Sequence, residues 1–234
     1  MLDSPADADE VYLARAGEVD PYRPVCQGDI FSGVTIPGLD PCHGAMVIAH
    51  PCVMRAGPCL RPKVTVVPVV KYDRVPFDRW STQHLRIFPL PALDPTRPKQ
   101  GHAARFDEFG TVETQALRLE NRAAMLSQQG ILLLQQRFIY SHSRAEIPLS
   151  HLLEASAAVF EELELQESWN LAFVRPQVED GDILEEVLAR EAHTFDEVML
   201  TKSQGVSLRD RLQTPPARAE VRRAVNGAIR ERRS

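Results

Sequence analysis

The sequence predicts an α+β chain in which a small β-barrel is followed by a helical C-terminal region. Between Cys26 and about Pro98 the chain is rich in β-branched residues and prolines, and it breaks into short apolar runs between turn residues, which read as strands. From Ser127 onward the apolar spacing changes to a helical period. A hydrophobic fraction of 44% and a charged fraction of 25% over 234 residues match the globular average and argue against wholesale disorder or a fibrous fold.

Residues 1–25 are acidic and short of aliphatic side chains, which predicts a mobile N-terminal arm with Tyr12 and Tyr22 as its only large anchors. Residues 26–147 are assigned to the barrel and a first helix. Its strands are read from Asp29-Ile30-Phe31, Ala45 to Ala49, Val64 to Val70 and Leu85 to Leu90. Pro68 lacks a ladder donor, so it is expected on an edge or at a bulge. Proline and charge between Ala92 and Gln100 predict a surface loop, and Phe106 to Leu126 is read as the last barrel strands. Ser127 is placed to cap a helix over Gln128 to Ser143.

Residues 148–234 form the helical region. Ser150 opens a long amphipathic helix expected to stop before Pro176, followed by two short helices, Ile183 to Arg190 and Thr194 to Leu200. A last helix is capped by Thr214 and carries Val221, Val225 and Ile229 as a thin apolar stripe.

Formal net charge of −5 argues against a protein that coats nucleic acid generally, while leaving room for a local basic face. The N-terminus is acidic where a signal peptide would be basic and then apolar, and no apolar run reaches the ~18 residues of a membrane span, so a cytoplasmic protein without membrane contact is expected. Glu154 to Glu197 holds thirteen acids against Arg175 and Arg190, and the last helix is basic. Such blocks are ordinarily solvated faces that partly neutralise each other; the sharper reading is an acidic surface that mimics nucleic acid or masks a basic groove.

Nothing resembles a nucleophile elbow or a glycine-rich phosphate loop, which removes the enzyme classes that need them. Cys26, Cys42, Cys52 and Cys59 with His43 and His50 invite a metal reading, but no Cys-x-x-Cys pair exists, so neither metal nor other cofactor is expected. Cys52 with His50 or His43 as base is a thiol-nucleophile alternative, which needs a strand unbroken through Pro51 to put His50 and Cys52 on one face. Asp29 is read as tying a turn to backbone amides. Gln135, Gln136, Arg137, Tyr140, His142 and Arg144 form a polar, cationic and aromatic group on the first helix, read either as a solvated face or as the lining of a nucleic-acid groove.

Three strings then occur in order: Cys26-Gln27-Gly28-Asp29-Ile30-Phe31, Cys42-His43-Gly44-Ala45-Met46-Val47-Ile48-Ala49 and Val66-Val67-Pro68-Val69-Val70. Their order and spacing resemble the first strands of the PemK and MazF toxins, over about residues 25–71. The resemblance implies an SH3-like barrel, metal-independent cleavage of single-stranded RNA by a homodimer, and restraint by an antitoxin. The chain departs from the family at two positions that carry chemistry: His43 stands at the catalytic arginine and Val70 at the catalytic threonine. A histidine can take a proton from a ribose 2′-hydroxyl near neutral pH, whereas valine offers a scissile phosphate nothing. His43 is therefore the candidate catalytic residue, with Arg55, Lys71 and Arg74 as the candidate phosphate-binding residues. The expectation is a toxin-related endoribonuclease with a degenerate active site. The alternative is a non-catalytic module that binds a protein partner or a second copy of itself, as a regulatory or defence-linked subunit.

Overall fold

The computed structural model describes residues 1–203 and 205–234. Its chain divides into two compact units, Met1–Pro21, Val25–Met54 and Arg61–Glu154 in the first, Tyr22–Pro24, Arg55–Leu60 and Ala155–Ser234 in the second. The fold is α+β, with a curled, barrel-like antiparallel sheet and a helical C-terminal region.

In the first unit the sheet strands are β1 (Tyr12–Arg15), β2 (Ile30–Ser32), β3 (Gly44–Val47) and, after the four-residue helix α1 (Pro51–Met54), the nine-residue strand Lys63–Lys71. The two-residue strands β4 (Arg55–Ala56) and β5 (Cys59–Leu60) pair with each other in the second unit, so the long strand is β6. The sheet is completed by β7 (Ile87–Leu90), β8 (His102–Arg105), β9 (Gly110–Glu113) and β10 (Arg122–Leu126). The strand order is β1-β10-β2-β3-β6-β8-β7, with β9 also on β6.

β6 organises this sheet. One edge pairs β3 through residues 66–69, while the other is shared, β9 taking 63–66 and β8 taking 69–71. Pro68 thus sits inside a central strand in continuous register with β3, neither on an edge nor at a bulge of that ladder as expected. The Thr65 and Val69 carbonyls face β3, accepting from Ile48 and His43. By alternation Pro68 faces the other edge, between the β9 and β8 ladders, where no amide is needed.

The segment expected as a mobile arm supplies β1. Val11 and Tyr12 are buried, and Tyr12–Arg15 pairs β10 across more than a hundred residues of chain. Here two apolar contacts and a ladder outweigh an acidic composition. β8 follows directly on the expected loop.

The helix α2 (Gln128–Ser143) begins as expected, the Ser127 hydroxyl accepting from the Gly130 amide. It is buried continuously from Gly130 to Arg137, far more than a one-sided stripe would require. α3 (Leu149–Glu179) runs through Pro176 instead of ending before it. The proline lies in the last turn, where it removes one helical bond, and that turn is closed by Gln177 donating its side-chain amide to the Phe173 carbonyl and by the Arg175–Glu179 pair at 2.8 Å.

In the second unit, α4 (Leu184–Leu200) replaces the two short helices expected. Val187, Glu191, Phe195 and Met199 form one buried stripe, and the acid in its middle is what hides the pattern in the sequence. After the four-residue helix α5 (Leu208–Arg211), a 3₁₀ turn at Pro215–Ala217 leads into α6 (Arg218–Arg233); the Thr214 side chain makes no capping bond. Trp169, Phe173, Phe195, Met199, Leu212 and Val221 centre this unit's core.

Eight of the thirteen acids of the acidic block are ion-paired inside the second unit among the described residues. Arg222 pairs Glu161 and Glu164, Arg209 pairs Glu162 and Asp196, and Arg23 pairs Glu167. Glu191, 1% exposed, is held by Arg232 and the Trp169 indole N–H. The mutual neutralisation expected of these blocks is therefore a set of specific pairs.

Candidate functional site

His43 stands immediately before β3, its amide donating to the Val69 carbonyl at 2.8 Å. Gly44 makes that position accessible: a Cβ there would lie 2.4 Å from the Phe31 carbonyl oxygen, so only glycine lets β3 approach β2 this closely. The exposed His43 ring stacks on that of His102, with centroids 4.5 Å apart and planes 29° from parallel.

His102 opens β8, where its backbone is registered against Lys71 of β6. Its side chain is buried, and neither ring nitrogen has a hydrogen-bond partner among the described residues. Burial holds its pKa below the ordinary histidine value; His43 and Lys71 push the same way, against Asp94. His102 is thus neutral at neutral pH, a proton acceptor beside an exposed second imidazole.

Arg74 lies in the chain just beyond β6 and lines a narrow cleft with His102, Leu90, Pro91 and Gln100. Gly101 holds this corner tight, a Cβ there falling 2.3 Å from the Tyr72 carbonyl oxygen and 2.9 Å from the Arg74 amide. Three of the four residues singled out from the sequence, His43, Lys71 and Arg74, are therefore grouped around His102. The fourth, Arg55, belongs to the second unit, where its guanidinium donates to the Pro58 carbonyl and, at 2.8 Å, to Gln166.

Sequence reasoning missed His102, which lies 59 positions from its stacking partner and just beyond a loop. The available signal was the short run His102-Ala103-Ala104-Arg105-Phe106 following a glycine, a strand-like string with a histidine at its head.

The remaining sequence candidates are accounted for differently. Asp29 accepts from the Cys26 amide at 3.0 Å and pairs the buried Arg122 at 3.2 Å, a structural role. Gln135, Gln136 and Arg137 neither face solvent nor line an open groove. They bond Gln27, Asp3 and the carbonyls around Trp80 respectively. His50 Nδ1 lies 2.9 Å from Cys52 Sγ, brought there by the turn into α1 and not by an unbroken strand. All four cysteines are free, and no group of three or more His, Cys, Asp or Glu that could hold a metal ion occurs among the described residues. Among those residues, too, no helix is long and apolar enough to cross a membrane.

No protein-family model matches the chain, and no curated protein does. The chemistry available at the site is accordingly read from its own geometry. Two imidazoles, one of them neutral, can take and return a proton, and Lys71 and Arg74 supply positive charge for an anion beside them.

Proposed function

We propose that the chain is a PemK/MazF-like, toxin-related cytoplasmic protein that cleaves single-stranded RNA without metal, using an altered active site. The observation that carries this is the exposed His43 stacked on buried, neutral His102, with Lys71 and Arg74 alongside. In this reading His43 removes the proton from a ribose 2′-hydroxyl. The 2′-oxygen bonds to phosphorus as the bond to the 5′-oxygen breaks, and that oxygen is protonated by the imidazolium formed in the first step. The products are a 2′,3′-cyclic phosphate and a 5′-hydroxyl. Lys71 and Arg74 carry the phosphate charge, and His102 fixes the plane of the His43 ring that takes the proton. An antitoxin-like protein partner and a second copy of the chain belong to the same reading.

One observation favours a non-catalytic reading, in which the unit binds a protein partner or dimerises. By the β3–β6 register Val70 neighbours His43, and valine supplies no hydrogen bond to a transferring phosphate. Incubating the protein with mixed-sequence single-stranded RNA in a chelator separates the two. Cleavage that His43→Ala reduces by about 10²-fold or more, with an unchanged melting curve, supports the ribonuclease; absence of cleavage by folded protein supports the binding module.

A further inference from the structure

A second cleft in the first unit lies where the C-terminal end of α2 meets the segment following β8. It encloses about 220 Å³ and is lined by Arg86, Phe106, Asp107, Ser141, His142 and Arg144. Phe106 is buried beneath it and meets Phe138 edge-on, ring centroids 5.4 Å apart.

The charges of this cleft are unequally satisfied. Asp107 is occupied, its two carboxylate oxygens taking Arg105 Nε at 3.0 Å and Nη2 at 2.8 Å, which keeps its pKa below the usual carboxylate range. Glu108 also pairs Arg105, at 3.0 Å. Arg86 and Arg144 make no ion pair with a carboxylate among the described residues. Arg144 is positioned by the helix end itself, with φ of +63° at the C-cap and its amide bonded to the Tyr140 carbonyl. Arg86 acts on Asp107 only through its charge, and the Arg144 guanidinium lies 5.5 Å from the Tyr140 ring centre, so both forks are free of a paired carboxylate among those residues and suited to a phosphate, whose oxygens accept from them.

The rim adds an aromatic element. The Phe138 carbonyl oxygen lies 2.9 Å from His142 Nδ1 and accepts from the Ser141 hydroxyl at 2.8 Å, with that hydroxyl 2.7 Å from the same nitrogen. This network holds the His142 ring 4.5 Å from Phe138 and 6.1 Å from Phe109, a residue 55% exposed. An exposed phenylalanine beside a histidine is a stacking surface for a planar ring. The cleft is smaller than the ~300 Å³ at which drug-sized pockets begin. It fits the phosphate end of a ligand whose ring lies outside against the rim.

We propose that this cleft binds a nucleotide phosphate, Arg86 and Arg144 taking the phosphate and Phe109 with His142 the base. The proposal goes beyond the histidine cleft and does not depend on it. Both free nucleotides and residues of an RNA strand present this chemistry.

Calorimetric titration of the full chain with adenosine monophosphate, adenosine and inorganic phosphate tests it. Adenosine monophosphate is expected to bind at least tenfold more tightly than either fragment. Arg86→Gln with Arg144→Asn, asparagine being tolerant of the left-handed backbone there, is expected to weaken that binding at least tenfold without changing the melting curve. Phe109→Ala is expected to weaken the nucleotide but not phosphate. His43→Ala should leave all of these unchanged, so failure here is distinct from failure of the ribonuclease reading. A short single-stranded RNA that displaces the nucleotide from wild type assigns the cleft to an RNA strand, and binding without displacement assigns it to a free nucleotide. Absence of nucleotide binding at millimolar concentration, or equal binding by the double variant, overturns the proposal.

Discussion

Arg137→Met should unfold the first unit at markedly lower denaturant while leaving the chemistry of the histidine cleft untouched by any direct contact. The Arg137 side chain is fully buried against the Trp80 ring, its guanidinium carbon 5.5 Å from the ring centre. It donates to the carbonyls of Ile87 at 3.1 Å, His84 at 2.7 Å and Trp80, with a longer contact to Gln83 at 3.4 Å. Burial pushes its pKa down to about 10, so it remains charged at neutral pH. Methionine keeps the apolar stem and leaves the Trp80 and Ile87 carbonyls without the donor shown for them, at about 1–3 kcal/mol each, while the His84 carbonyl keeps the Ile87 amide at 3.3 Å. Relief of the buried charge offsets part of that, and a net loss of about 3 kcal/mol is expected. Urea unfolding followed by Trp80 fluorescence in a Trp169→Phe background measures it, and in heat the melting midpoint should fall by about 6–12 °C at ~2–4 °C per kcal/mol. Arg137→Lys should fall between the two, because an ammonium has three donors on one point and cannot span the carbonyls. A loss below about 1 kcal/mol for methionine would refute the carbonyl clamp.

Other consequences can be measured in the same way. Gly101→Ala forces a Cβ to within 2.3 Å of the Tyr72 carbonyl oxygen, and should cost about 1–3 kcal/mol in unfolding while displacing Arg74 from the cleft. His102 has a lowered folded pKa, so the unfolded chain takes its proton first as pH falls below about 6.5. Its effect is absent above that value and grows as a loss of stability down to the folded pKa. The wild-type minus His102→Gln stability difference should therefore decline as pH falls below about 6.5, and a flat difference would count against a neutral His102. For Glu191, burial favours the neutral acid, but Arg232 and the Trp169 indole outweigh it and its pKa is lowered. Glu191→Gln should cost the second unit about 2 kcal/mol at neutral pH, an advantage of the acid that disappears as pH falls through its folded pKa.

The parts of the fold legible in sequence are those with local causes. Ser127 and the apolar run after it give α2 its exact start, and the β-branched run from Val64 gives β6. The parts that were not legible depend on distant partners. Glu191 breaks the apolar pattern of α4 until Arg232, 41 residues away, is seen to hold it. The acidic first residues look solvated until β10 is seen to pair them. His43, Lys71 and Arg74 were legible as chemistry within one stretch of chain, whereas His102 joins them only through the register of β6 with β8.

That β1 pairs β10 also fixes an order of events at the ribosome. Residues 12–15 leave the exit tunnel more than a hundred positions ahead of residues 124–126, and at ~5–20 residues per second they wait several seconds for their partner. The β2–β3–β6 ladder can assemble within that interval, because its strands are close in sequence. The amino-terminal strand is therefore the last to be stitched into the sheet, and a slow codon run just before position 122 would prolong the interval in which it is open to capture by another nascent chain.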